Sequence, residues 1–377
     1  MSKDSVISRS MDPQHPCRVM VVDDSAVARG IVTRTLQEEA GIKVVASVPN
    51  GLMALKAIEK QEIDIVILDI EMPELDGLAA LPRLLEMQPD LKVIMVSSAS
   101  QRDADISLKT MAMGAADYVA KPKAGLGGAD GFRTELLSKV RAHGACTSEA
   151  PKKKKSETAQ PRPEAKVQVK SPATITRAVR KLSRPDAIAI GSSTGGPQAL
   201  AEVLKDIDPA LSQPILVTQH MPATFTALLA EHMTRYSGRL AAEARDGEPL
   251  EEGRIYIAPG GKHMLVEPRA AGGAILRLDD GPPENSCKPA VDPMLRSLAR
   301  HFKERLLAVI LTGMGSDGLK GGQVVLEEGG RVLAQDRESS VVWGMPGAVA
   351  QAGICEEILP LRQIGPAILR IATGEGK

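Results

Sequence analysis

The stretch "AIAIGSSTGGPQAL", residues 187–200, contains a complete strand-to-helix transition. Ala187 to Ile190 form a short, wholly apolar run, the pattern of a strand buried on both faces of a parallel sheet. The turn after it holds Ser192, Ser193, Thr194, Gly195 and Gly196, and Pro197 is a favoured first-turn residue for the helix beyond. Strand, glycine turn and helix together form the unit of an open α/β sheet, whose ligands bind at the carboxyl ends of the strands. Such a turn suits two chemistries. Its backbone N–H groups can cradle a phosphate, or it can lift a nucleophilic hydroxyl above the sheet.

The spacing argues against a dinucleotide. That site needs G-x-G-x-x-G and an acidic residue ending the next strand, to hold the ribose. Here the glycines stand at 191, 195 and 196, and the next strand ends "VTQH", with His220 where the acid belongs. A hydroxyl nucleophile instead needs a base within reach and an acid to orient that base. His232 and His301 fall inside helical patterns and His263 follows a Gly-Gly turn, so His220 is the histidine that ends the neighbouring strand. "LLAVILTGMGSDG" (306–318) supplies a further buried strand and a glycine-rich loop with Asp317, read as the orienting acid rather than a mere helix cap. From the residues alone, Ser192, Ser193 and Thr194 remain equal candidates for the nucleophile.

The rest of residues 185–377 continues the rhythm. Strands are expected at "DAIAIG" (186–191), 214–220, 254–259, 274–278, 306–313 and 331–335, with helices at 197–206, 224–235, 292–303 and 317–328. This predicts a Rossmann-like, mostly parallel, doubly wound sheet. Upstream, residues 17–143 alternate in the same way, with strands at 18–24, 42–48, 63–69, 91–97 and 117–121 and helical stretches such as 51–60 and 102–113. Five strands in flavodoxin-like order are the natural solution. The fold class is thus α/β twice over, two doubly wound parallel-sheet domains, as 377 residues exceed one ordinary core.

Between the domains, 144–184 reads as a flexible basic linker and 1–16 as a disordered polar extension. Residues 151–184 hold 11 Lys+Arg against 2 Asp+Glu, a local balance of +9 that leaves −9 for the rest of a chain with no net charge. The positive charge, including "KKKK" at 152–155, therefore lies in a solvated segment and not on a folded face. With aromatics at 2% and no recognition-helix motif, nucleic acid is not an expected partner. No apolar run reaches membrane-spanning length, and Cys17, Cys146, Cys287 and Cys355 show no metal or disulfide spacing. A reducing, cytoplasmic setting is expected.

The first domain places Asp23 and Asp24 at the end of strand one, Asp69 at the end of strand three and Lys121 at the end of strand five. Converging carboxylates repel unless they share a cation, and an all-oxygen site suits Mg²⁺. Asp24 or Ser25 could cap the next helix, but capping does not explain Asp69 and Lys121.

"VVDDS", "DIEMPELDG", "MVSS" and "YVAKP" make residues 17–143 resemble response-regulator receiver domains. The resemblance implies phosphorylation of Asp69 by a histidine kinase, with Mg²⁺ held by Asp24, Asp69 and the backbone carbonyl of Glu71 and supported by Asp23. It assigns switch roles to Ser97, Tyr118 and Lys121. "GSSTGGPQAL", "VTQHMP", "APGGKHM" and "ILTGMGSDG" resemble the catalytic domain of chemotaxis protein-glutamate methylesterases, the CheB family, and the likeness spans about residues 17–372. It implies Ser193 as nucleophile, His220 as base, Asp317 as orienting acid and the Met314 backbone N–H as an oxyanion donor. It further implies methyl-ester hydrolysis and glutamine deamidation on chemoreceptors, without a cofactor for the hydrolysis. The enzyme would associate with receptor arrays at the inner membrane without inserting into it. A receiver-controlled binding module that does not catalyse is the alternative from a different class.

Overall fold

A computed structural model describes residues 16–97, 106–107, 109–111, 113–121, 129–147, 183–270 and 272–374. The expected N-terminal extension and basic linker fall almost wholly outside these residues, as does much of the 102–113 stretch. The first domain is built on β1 (Cys17–Val22), β2 (Ile42–Val48), β3 (Ile65–Asp69), β4 (Lys92–Ser97) and β5 (Asp117–Ala120). They lie in the order β2-β1-β3-β4-β5, all parallel, which is the flavodoxin-like order expected. Helices α1 (Ala26–Gln37), α2 (Gly51–Ile58) and α3 (Gly77–Met87) start where polar side chains satisfy free N–H groups. Ser25, Asn50 and Asp76 accept from Ala28, Met53 and Ala79 at 3.3, 2.9 and 2.8 Å. A long helix, α4 (Ala129–Thr147), closes the domain.

The second domain carries β6 (Ala187–Ser192), α5 (Gly196–Lys205), β7 (Ile215–Gln219), α6 (Ala223–Ser237), β8 (Ala241–Glu243) and β9 (Ile255–Ile257). After a hairpin of β10 (His263–Pro268) and β11 (Ala274–Asp279) come α7 (Val291–Phe302), β12 (Leu306–Ile310), α8 (Leu319–Glu327), β13 (Arg331–Gln335), α9 (Met345–Gln351), β14 (Glu357–Leu359) and α10 (Leu361–Thr373). The main sheet runs β14-β13-β12-β6-β7-β9-β8 and is parallel throughout. Chain order reverses between β12 and β6, so the crevice above those two strands is the topological switch point.

Residues 274–278 were expected in the parallel sheet. They pair antiparallel with β10 outside it, because the chain returns through a short turn that no crossover helix could span. That hairpin packs on α7, and Val266 N–H donates to Ser297 Oγ at 3.0 Å.

The two domains touch. The Tyr118 ring stacks on Phe225 of α6 with centroids 4.5 Å apart, and Gln198 Nε2 of α5 donates to Ala115 O at 2.9 Å. Buried apolar side chains from both domains form one continuous cluster there.

Candidate functional site

In the first domain the strand ends converge as expected. Carboxylate oxygens of Asp23, Asp24 and Asp69 all lie within 4.8 Å of one another. Lys121 Nζ bridges Asp23 and Asp69 at 3.0 and 2.8 Å. Burial is the main reason the Asp69 carboxyl is pushed up to about 6, against the pull of Lys121. Asp24 is exposed while Asp23 and Asp69 are buried, so the cluster opens to solvent on one side. Hard oxygen donors at this separation fit a divalent cation such as Mg²⁺. Glu71 is exposed at the start of the next loop. Ser97 is buried and accepts from Ser107 Oγ at 2.9 Å. Tyr118 is buried between the domains, with Lys139 Nζ of α4 4.6 Å from its ring centroid.

In the second domain the switch point gathers three loops. Ser192 of β6 pairs with Gln219 of β7, so Ser193 and His220 leave adjacent strands side by side. His220 N–H donates to Ser192 O at 3.1 Å. The turn after Ser193 needs a left-handed residue, which Gly195 supplies at φ 74°. Gln219, missed from the sequence, holds this turn: its Nε2 donates to Ser193 O at 2.9 Å, and its Oε1 accepts from Ser192 Oγ at 2.7 Å. Ser192 and Thr194 are buried, whereas Ser193 is partly exposed. Of the three hydroxyl residues, Ser193 is thus the one with access to solvent.

The loop after β12 closes over the turn. Ser193 N–H donates to Thr312 O at 3.0 Å, and Thr312 Oγ1 donates to Thr194 O at 3.0 Å. A Cβ on Gly313 would stand 2.9 Å from Ser193 Cβ and strike the Met345 sulfur. Met314 follows directly, its side chain 48% exposed and its Sδ 2.7 Å from Ser138 Oγ of α4. A helix of the first domain therefore reaches the loop beside Ser193.

Asp317 does not cap the helix after it. Gly318 is that helix's N-cap and makes no side-chain bond. Instead Asp317 Oδ2 accepts from His220 Nε2 at 2.7 Å. Oδ2 also accepts from Val291 N at 2.6 Å, while Oδ1 takes Asp292 N at 3.0 Å, Gly318 N at 3.0 Å and Asn285 Nδ2 at 2.8 Å. The N-terminus of α7 thus points its free N–H groups at this carboxylate. Burial opposes ionisation, yet the imidazole and these donors hold the Asp317 carboxyl below its usual range. Burial pulls the His220 imidazole down, but its bonds to Asp317 and Cys287 win and raise it to about 9. Cys287 Sγ lies 3.3 Å from Nδ1.

Sequence reasoning missed Asn285, Cys287 and Asp292. Asn285 also donates to Asp292 Oδ2 at 2.9 Å, tying two buried carboxylates together. Asp292 is raised, chiefly by burial. His263 anchors the same segment from the other side. It contacts Pro282 O at 3.0 Å through Nε2 and accepts from Ala290 N at 3.1 Å through Nδ1. His232 and His301 lie in α6 and α7, as expected.

Comparison with known proteins agrees with both halves. Residues 19–125 match the family model described as response regulator receiver domain, and residues 188–368 match that described as CheB methylesterase. The chain is 54% identical over 368 residues to a protein-glutamate methylesterase/protein-glutamine glutaminase of Azospirillum brasilense, covering 95% of this chain and 93% of that one. It is also 54% identical over 367 residues to one of Paramagnetospirillum magneticum, covering 94% and 96%. The solved catalytic domain of Thermotoga maritima CheB methylesterase aligns at 38% identity and TM-score 0.48, over 50% of this chain and 99% of that one.

Proposed function

The chain belongs to the CheB methylesterase family, and from that premise we propose that Ser193, His220 and Asp317 hydrolyse glutamyl methyl esters of chemoreceptors under control of Asp69. The activity is that of a protein-glutamate methylesterase and protein-glutamine glutaminase with a receiver domain. The observation that carries the residue assignment is the 2.7 Å contact of His220 with Asp317 beside the partly exposed Ser193.

Because Asp317 takes Nε2, the neutral imidazole presents its lone pair on Nδ1. Ser193 Oγ attacks the ester carbonyl while Nδ1 accepts its proton. Negative charge builds on the carbonyl oxygen, where the Met314 backbone N–H donates, an interaction worth about 3 kcal/mol. The imidazolium then returns the proton to departing methanol, leaving an acyl-serine. Water attacks that ester, again giving its proton to Nδ1; the imidazolium returns it to Ser193 Oγ as the acyl–oxygen bond breaks, and a free glutamate side chain leaves. With a glutamine substrate the first leaving group is ammonia. The imidazolium formed in each step lies against ionised Asp317, which four other N–H donors keep aimed. The ester chemistry calls on no cofactor.

In the receiver, Asp24, Asp69 and the Glu71 carbonyl would hold Mg²⁺, with Asp23 in support. When bound, the ion offsets the charge of a phosphoryl group on Asp69. Lys121 contacts the same group, Ser97 reads it and Tyr118 transmits it. The receiver masks the Ser193 site until Asp69 is phosphorylated; support comes from α4, whose Ser138 touches Met314, and from Tyr118 stacked on Phe225. The phosphodonor is a chemotaxis histidine kinase, and the enzyme works in the cytoplasm at receptor arrays. Among the described residues no helix is long and apolar enough to cross a membrane.

The test is methanol release from methyl-labelled receptor membranes, with and without acetyl phosphate and Mg²⁺. Release stimulated by the phosphodonor, absent in Ser193→Ala and unstimulated in Asp69→Asn, is expected. Release that persists in Ser193→Ala removes the mechanism.

A further inference from the structure

The segment ahead of α7 brings one more reactive side chain onto the imidazole. Cys287 Sγ sits 3.3 Å from His220 Nδ1, the nitrogen that Ser193 needs, while Nε2 is committed to Asp317. Among the described residues no hydrogen bond joins Ser193 to the ring. The thiol is held there by a built turn. Glu284 and Cys287 exchange backbone bonds at 3.1 and 2.9 Å, and Glu284 grips Arg296 of α7 through two contacts of 2.6 Å. Asn285 and Ser286 between them adopt left-handed backbone, at φ 52° and 63°, so the turn is held in its shape by its partners.

We propose that Cys287 is a positioning residue for the base: its thiol holds Nδ1 at rest, and the ring exchanges Cys287 for Ser193 as catalysis begins. The proposal rests on the Ser193–His220 reading above and deepens it. A thiol suits both protonation states of the ring. It donates S–H to the lone pair of neutral Nδ1, and its sulfur accepts from Nδ1–H of the imidazolium. Neither Ala nor Val can do either. Besides Cys287, the charged group against the ring is Asp317 from the loop after β12, and around Asp317 lie Asp292 on α7, the Glu284–Arg296 pair, and Lys320 on α8 beyond Glu284. A Cys287 substitution leaves all of them in place.

The contact that raises His220, after Asp317, is the sulfur accepting from Nδ1–H of the imidazolium, which favours the charged ring over the neutral one. Removing it should lower the titration midpoint, and a serine should restore part of the effect. The experiment is a ¹⁵N-histidine NMR titration of the full, unphosphorylated chain, with His220 signals identified by their loss in His220→Gln. The expected result is a lower midpoint in Cys287→Ala and in the better-filling Cys287→Val. Cys287→Ser should lie between these and wild type. The acid limb of the kcat/KM profile for ester hydrolysis should move by the same amount. An unchanged midpoint in a folded Ala or Val variant overturns the proposal, and so does an equal fall in Ser and Ala, which packing alone would give. The titration does not need turnover. A chain that titrates as expected but releases no methanol would refute the functional reading and leave the thiol–imidazole contact standing.

Discussion

Replacing Asp317 with Asn tests the orienting acid directly, and the hydrogen-bond network sets the outcome. The side-chain NH₂ of Asn must replace one of two carboxylate oxygens. At the Oδ1 position it would face three donors, from Asn285, Asp292 and Gly318, and leave all three without an acceptor. At the Oδ2 position it faces Val291 N–H and the imidazole. The second placement is cheaper, because the imidazole can change tautomer and accept at Nε2. One buried N–H then remains unpaired, at about 1–3 kcal/mol of stability. The catalytic cost is larger. The new tautomer carries its proton on Nδ1, so the nitrogen meant to receive the Ser193 proton is already occupied. The same exchange in other serine triads costs about 10⁴-fold in kcat, or about 5 kcal/mol of barrier. Methanol release gives the rate, and urea unfolding gives the stability. A variant within about tenfold of wild-type kcat would refute both the tautomer argument and the role given to Asp317.

Other outcomes follow from the same geometry. With His220 raised to about 9, kcat/KM for the ester should climb with a midpoint near pH 9, and a profile already level from pH 7 would contradict it. A raised imidazole pKa stabilises the fold fully below its unfolded value of 6.5, and the contribution is lost as pH rises through 9. The urea midpoint should therefore fall across that window more steeply in wild type than in His220→Gln. Gly313→Ala places a methyl against Ser193 and Met345, so hydrolysis should drop at least about 10²-fold while the sheet remains folded by circular dichroism. Because Asp69 titrates near 6, Mg²⁺ affinity measured by calorimetry should weaken as pH falls below 6, by up to about tenfold per unit. Asp69→Asn should remove that dependence.

Both sheets were legible because their strands are apolar runs between turns, and buried parallel strands leave no other choice. The run at 331–335 matches β13 to the residue. Strands of three residues, such as β8 and β14, are too short to show a period. The hairpin strand β11 resembled a sheet strand because composition does not reveal its partner. Position at strand ends marked His220 and Asp317, which the structure brings to 2.7 Å, but it left Ser192, Ser193 and Thr194 as equals. The support around them was not legible: "GPPENSCKPAVD" (281–292) reads as a loop leading into a helix. Nothing local aims Asn285 or Cys287 at residues 32 and 67 positions away. An Asp at the second position of a helix is an ordinary first-turn residue, so Asp292 gave no signal either.

The stacked pair of Tyr118 and Phe225 has a thermodynamic corollary. If phosphorylation of the receiver loosens that contact and so favours substrate binding, linkage requires the reverse coupling of equal size. A receptor helix occupying the cleft beside Ser193 must then stabilise the phosphoryl-like state of the receiver by the same free energy. Each unmodified receiver would become a better acceptor where substrate is already at hand, so the catalytic domain would act as a sensor of its own workload.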